Sequence, residues 1–288
     1  MEHFYIMTNK PKDEQLEVTG KIISFLEANG KQCSVCVRDK AVWDSHKGTE
    51  TAEDEIHVPD DADCILVLGG DGTLLQAAAD TMNLDIPLLG INLGTLGFMA
   101  EVEKTGIEYA LQALIDDNFE VEERMMLDGR ICCNGQLQKE RHALNDIVLT
   151  RSGSLKIVTY EIYVNGQFLN RYHADGVIVS TPTGSTGYNM SAGGPIVEPV
   201  AKILLLTPIC PHTIGARSIV LSPEDEIEIK IKGRNGEKQE MEVNFDGSFT
   251  QSLSSGDSIK ICRSKRVTKF LRLSKVSFLE VLHKKLNE

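Results

Sequence analysis

Five consecutive residues, Gly69-Gly70-Asp71-Gly72-Thr73, set one carboxylate among three glycines. Glycines let a phosphate chain approach the backbone closely and meet its N–H groups. A carboxylate beside phosphates is repelled unless it takes a proton or holds a metal, so Asp71 is a candidate general base for a hydroxyl attacking phosphorus. The competing reading is a tight turn with Asp71 as a helix cap. The flanks favour chemistry. Residues 64–68, Cys-Ile-Leu-Val-Leu, suit a strand buried on both faces, and residues 74–81 follow with helical spacing. The turn then lies at the carboxyl end of a strand, where open α/β sheets take ligands, and at a helix N-terminus, which favours anions. Gly69, Gly70, Gly72 and Thr73 are the candidate phosphate contacts. No Gly-x-x-x-x-Gly-Lys-Ser/Thr is present, which excludes a P-loop kinase. Gly90-x-x-x-Gly94-x-x-Gly97 is either a second wall of the cleft or a site of close backbone packing.

A second stretch, residues 175–195, runs from Asp175-Gly176 through a strand into Thr181-Pro182-Thr183-Gly184-Ser185-Thr186-Gly187-Tyr188-Asn189-Met190-Ser191 and closes on Gly193-Gly194-Pro195. Its hydroxyls can donate to ribose or phosphate without adding charge, and Tyr188 offers a flat face and an O–H. A third signal is Asn145-Asp146, an amide beside a carboxylate, able to read an adenine edge or a ribose diol or else simply to turn the chain.

The elements that must position these residues change character along the chain. Apolar runs at 4–8, 32–37, 64–68 and 87–92 read as strands, and helical spacing appears at 13–29, 74–81 and 106–118. This alternation predicts a doubly wound, Rossmann-like α/β domain over residues 1–122. From 123 the chain breaks into short strand-like runs, at 143–150, 158–164, 176–180, 218–221, 226–231, 240–245 and 258–263, with Asn165-Gly166 and Asp246-Gly247 as hairpin turns. An all-β domain over 123–265 follows, with a helical tail within 266–288 returning to pack on another element.

Composition bounds the partners. The 288 residues carry a net charge of −12, which repels nucleic acid and anionic membranes. Phosphates must then be met by backbone N–H groups, local cations or metal ions. No run reaches ~18 apolar residues, so no membrane span is expected. Seven cysteines, an odd number, and no leader-like start point to a reduced cytoplasmic protein. Cys33-x-x-Cys36 reads as buried small hydrophobes rather than a redox or zinc pair. His212 reads as structural, and His142 as a solvated neighbour of Arg141; Trp43 either anchors an acidic loop or approaches a ligand.

Together, Gly69-Gly70-Asp71-Gly72-Thr73, Leu144-Asn145-Asp146 and residues 175–195 resemble the NAD kinase family. The resemblance implies a C-terminal β-sandwich, NAD and ATP as substrates, a divalent cation such as Mg²⁺, and a homodimer or homotetramer. It implies that Asp71 deprotonates the 2′-hydroxyl of the adenosine ribose and that Gly72 lines the NAD site. Asn145 and Asp146 would hold ribose or adenine, and Asp175 the nicotinamide half. Thr183, Thr186, Gly187, Tyr188, Asn189, Met190 and Ser191 would line the pocket, with Lys156 and His173 as looser contacts. Three positions depart from the family: Asp146 stands for the usual Glu, Gly187 for Ala and Ser248 for Gln. A kinase for a lipid or sugar hydroxyl, or a dinucleotide sensor without turnover, would share parts of this pattern.

Overall fold

The computed structural model describes residues 1–39, 57–94, 97–153, 157–213, 215–233, 237–273 and 276–287. They form two compact units, Met1–Glu123 with Thr268–Glu288, and Arg124–Val267. Trp43 lies outside the described residues, as does Lys156.

The first unit is α/β. In chain order it contains β1 (His3–Asn9), α1 (Glu17–Ala28), β2 (Gln32–Arg38), β3 (Cys64–Gly69), α2 (Asp71–Asp80), β4 (Leu88–Asn92), β5 (Val102–Glu103) and α3 (Ile107–Ile115). Strand order β2-β1-β3-β4 is parallel throughout, with β5 beside β4. Parallel strands need crossovers that cover the sheet. Accordingly β3 and β4 are buried along their whole lengths. Phe4, Ile6, Leu66, Leu68, Leu89 and Ile91 pack with Ile22 and Leu26 of α1 and with Leu111 and Leu114 of α3. The first helix starts at Glu17 rather than near residue 13. Leu16 is left-handed (φ 55°), and the Asp13 carboxylate accepts from the N–H groups of Val18 and Thr19 at 3.2 and 2.9 Å, capping the first turn from outside it.

The second unit is all-β. It contains β6 (Glu120–Cys133), β7 (Gln136–Ala143), β8 (Asp146–Arg151), β9 (Val158–Val164), β10 (Gln167–Ala174), β11 (Gly176–Ser180), the one-turn helix α4 (Tyr188–Ser191), β12 (Leu204–Ile209), β13 (Ile219–Leu221), β14 (Ile227–Lys232), β15 (Glu240–Phe245), β16 (Phe249–Ser254) and β17 (Ser258–Arg272). One sheet runs β10-β9-β14-β17-β6-β7 and the other β13-β12-β11-β8-β15-β16. Alternate residues of both meet in one core, among them Leu127, Ile147, Leu149, Ile162, Val177, Val179, Ile229, Val243 and Ile261. Period-two burial of this kind is a sandwich. Asn165-Gly166 and Asp246-Gly247 have φ of 50° and 77°, and 50° and 72°, the left-handed pairs that two-residue hairpins need.

Six strands escaped the sequence reading: β5, β6, β7, β10, β12 and β16. The strand expected at 143–150 is two strands broken at residues 144–145, because the backbone there turns to bond Asp246. The strand expected at 258–263 continues to Arg272, where Phe270 pairs with Leu88 of β4 in the first unit. The tail helix, α5 (Phe278–Leu286), carries a Ser277/Glu280 capping box and sets the Phe278 ring 6.5 Å from that of Phe98. No helix among the described residues is long and apolar enough to cross a membrane.

Candidate active site

The carboxyl ends of β1, β3 and β4 meet around the glycine turn. Leu93 donates its N–H to Gly69 at 2.9 Å, and the Asn9 amide donates to the Thr73 hydroxyl at 2.9 Å. Gly70 precedes α2 in an extended conformation, with no side-chain cap on the helix. Gly69 is sterically required, because a Cβ there would overlap the Thr73 side chain. One on Gly70 would meet only the end of the Lys12 side chain, at 2.8 Å from its amine.

Asp71 is not a helix cap. Its half-buried carboxylate turns to the loop after β4, where Phe98 donates to Oδ2 at 2.8 Å and Met99 and Ala100 donate to Oδ1 at 3.2 and 3.3 Å. A Cβ on Gly97 would overlap this carboxylate, so the third glycine of the Gly90/Gly94/Gly97 spacing makes room for it. A carboxylate oxygen accepts about two hydrogen bonds. Oδ1 is thus filled, while Oδ2 keeps one acceptor position. Asp71 is held at a fixed angle and can still take a proton from a ligand.

In the sandwich, the loop 175–195 and the Asn145-Asp146 pair come together. Thr181 donates its N–H to Asn145 O at 2.9 Å and its hydroxyl to Leu144 O at 2.6 Å. From the other side, the Asp246 carboxylate accepts three successive N–H groups, of Leu144, Asn145 and Asp146, at 2.6, 2.8 and 2.9 Å. With their backbones committed, these two residues turn their side chains toward Gly187. A Cβ there would lie 3.5 Å from Asn145 Nδ2 and 3.8 Å from Asp146 Oδ2. Asn145 Oδ1 is buried without a partner, an acceptor left for a ligand.

Asp146 is 7% exposed. Burial, and then the charge of Asp246, push its carboxyl up to about 8. Burial also raises Asp246, to about 6, against the three N–H groups that favour its charge. Burial and the neighbouring charge thus favour the protonated form of Asp146, in which its carboxyl group can donate.

The remaining candidates divide. Tyr188 is 45% exposed, and Met190 and Ser191 are exposed beside it. Thr183 is buried and accepts from Arg124 at 3.3 Å, and the Thr186 hydroxyl reaches Thr183 O at 3.4 Å. Asn189 is fully buried. Its Nδ2 donates to Ser185 O and Pro195 O, and its Oδ1 accepts from Thr207, so its donors are spent on holding the loop. Asp175 accepts from Arg151 Nε at 3.0 Å, and His173 bonds the Thr159 hydroxyl at 2.9 Å. Arg151 also lines a cleft of about 440 Å³ with Ser152 and Gln239, a feature without a motif of its own. His142 pairs with Asp128 at 2.7 Å rather than standing solvated beside Arg141. Asn9, Asp246 and the N–H groups of residues 98–100 were missed as well. Asn9 and Lys12 had one available signal, their place at the end of the first strand of a parallel sheet.

Comparison with known proteins gives the family of the chain. The description "ATP-NAD kinase N-terminal domain" matches residues 4–119, and "ATP-NAD kinase C-terminal domain" matches residues 144–273. The chain is 44% identical over 291 residues to the NAD kinase of Lachnoclostridium phytofermentans, with 100% of each chain covered. It is 45% identical over 288 residues to that of Agathobacter rectalis, covering 99% of each. Among solved structures it is similar to yeast NADH kinase complexed with NADH, at a TM-score of 0.85 and 26% identity over 100% of this chain and 88% of that one. The fold is also that of an Archaeoglobus fulgidus NAD kinase in complex with ATP, at a TM-score of 0.75 and 24% identity over 99% and 98% of the two chains.

Proposed function

Because the chain belongs to the NAD kinase family, we propose that Asp71 is the general base of its reaction and that residues 144–146 and 183–191 hold the dinucleotide. The chain transfers the γ-phosphate of ATP to the 2′-hydroxyl of the adenosine ribose of NAD, giving NADP.

The observation that carries the base assignment is the remaining acceptor position on Asp71 Oδ2. A sugar hydroxyl is a weak nucleophile until its proton has an acceptor. As the ribose oxygen bonds to the γ-phosphorus, its proton passes to Asp71, the bond from phosphorus to the bridging oxygen breaks, and ADP leaves with that electron pair. The N–H groups of residues 98–100 keep the carboxylate aimed during this step. The first N–H groups of α2, which have no partner within the helix, offset charge on the phosphates. In the sandwich, neutral Asp146 is a donor and Asn145 Oδ1 an acceptor, the combination an adenine edge or a ribose diol requires.

Among the described residues no three His, Cys, Asp or Glu converge on a metal site. A magnesium ion that arrives on a triphosphate needs only one or two protein oxygens. Asn9 Oδ1, buried without a partner beside Thr73, fits that requirement and would hold the ion. When bound it supplies neutralisation of phosphate charge. Cytoplasmic placement is supported by seven free thiols, and assembly as a homodimer or homotetramer by likeness to the family.

The test is to mix the purified protein with ATP, Mg²⁺ and NAD and to assay NADP with an NADP-specific dehydrogenase. NADP formation is expected. NAD binding without turnover would make the protein a sensor, and ATP consumption only with a lipid or sugar would reassign the acceptor.

A further inference from the structure

The 3₁₀ turn Lys10–Lys12 follows β1 directly and is stiff. Pro11 fixes one φ, and the Asp13 N–H closes the turn onto Asn9 O and Lys10 O at 3.2 and 3.1 Å. Three charged side chains leave it. Lys10 pairs with Asp39 at 3.1 Å, and Asp13 is spent on capping α1. Lys12 makes no hydrogen bond or ion pair with the described residues. Its amine lies over the glycine turn, 2.8 Å from where a Gly70 Cβ would project. A cation without a partner among the described residues thus stands above the residue preceding Asp71, beside the uncapped N-terminus of α2. This is the local cation that a phosphate site needs in a chain of net charge −12.

We propose that Lys12 is a phosphate-binding residue of this kinase, contacting the triphosphate of the donor rather than the dinucleotide. The inference rests on the reading of the glycine turn as the phosphoryl-transfer site. Lys12 is exposed, and an exposed ammonium gains little from a single opposite charge. It gains appreciably only from a group with several charges close together, which a triphosphate supplies and the esterified diphosphate of NAD supplies less well. The glycine at position 70 serves the same contact, since any side chain there would displace the amine.

The experiment uses the full chain. The wild type must first convert NAD to NADP with ATP; failure there overturns the functional reading itself. Given that activity, Lys12→Met is expected to raise KM for ATP about tenfold, with KM for NAD within about twofold of wild type. Lys12→Arg is expected to recover most of the loss. As a readout independent of turnover, inorganic tripolyphosphate should raise the wild-type Tm and fail to raise that of Lys12→Met. ATP, titrated in parallel, separates the nucleotide from the bare phosphate chain. Should the Met variant fold poorly, Lys12→Gln removes the same charge with a polar end. An unchanged KM for ATP, a rise in KM for NAD instead, or an equal tripolyphosphate shift in wild type and variant would overturn the proposal.

Discussion

Asp71 in the α/β unit and Asp146 in the sandwich are the same side chain in opposite surroundings. Asp71 is half-buried and receives three N–H groups from one loop. Asp146 is buried beside a second carboxylate that has taken the local N–H groups for itself. The first setting holds an acceptor in a set direction; the second favours a proton on Asp146. On the proposed reading, one residue type supplies both an acceptor for a proton in flight and a donor for recognition. The difference comes from where backbone N–H groups point, not from the aspartates.

Each half of this contrast can be broken. The largest effect expected, short of altering Asp71 itself, comes from Gly97→Ala. The new Cβ must push the Asp71 carboxylate out of its N–H cradle, and kcat should fall about 10²-fold while the Tm changes little. Steady-state kinetics beside a melting curve checks it. On the other side, Asp246→Ala leaves three N–H groups without their acceptor. A loss of about 2–4 kcal/mol is expected in urea unfolding, with water entering to limit it. NAD affinity should fall with it, because the Asn145-Asp146 backbone loses its anchor.

A smaller effect sharpens the charge assignment. An unfolded Asp titrates near 4, whereas Asp146 is raised to about 8 in the fold. Between those values the folded state binds more protons than the unfolded one, so this group's contribution is complete below about pH 4 and is lost as pH rises through about 8. Asp146→Asn should flatten that part of the stability profile and be the more stable protein at pH 9, by about 1–3 kcal/mol. Urea midpoints of both proteins at pH 5, 7 and 9 decide it. The smallest change is Gly187→Ala. Its Cβ would lie 3.3 Å from Gly184 O at a φ of −92°, so an adjustment of a few tenths of an ångström suffices. Stability should stay within about 0.5 kcal/mol of wild type.

The glycine turn was legible in the sequence because few residue types can replace its members, and Asp71 stood out as its only charge. The alternation of elements in the first unit was legible because buried parallel strands are continuously apolar. The polar strands were not: Gln136–Ala143 is largely exposed and carries no alternating signal. The cradle of Asp71 is made of backbone N–H groups, which leave no mark on residue type. Asp246 read as a hairpin residue, which it is, but its carboxylate serves residues 100 to 102 positions earlier. No local pattern records a partner at that distance. The fully buried Asn189 shows the converse, a polar residue in a ligand-like loop whose hydrogen bonds hold the loop together.

The central claim is that Asp71 accepts the ribose proton. Asp71→Asn keeps the shape and removes the basicity, so it should lower single-turnover NADP formation about 10³-fold or more while the Kd for NAD, measured by calorimetry, stays within about threefold. Turnover within about tenfold of wild type, with NAD bound normally, would contradict it.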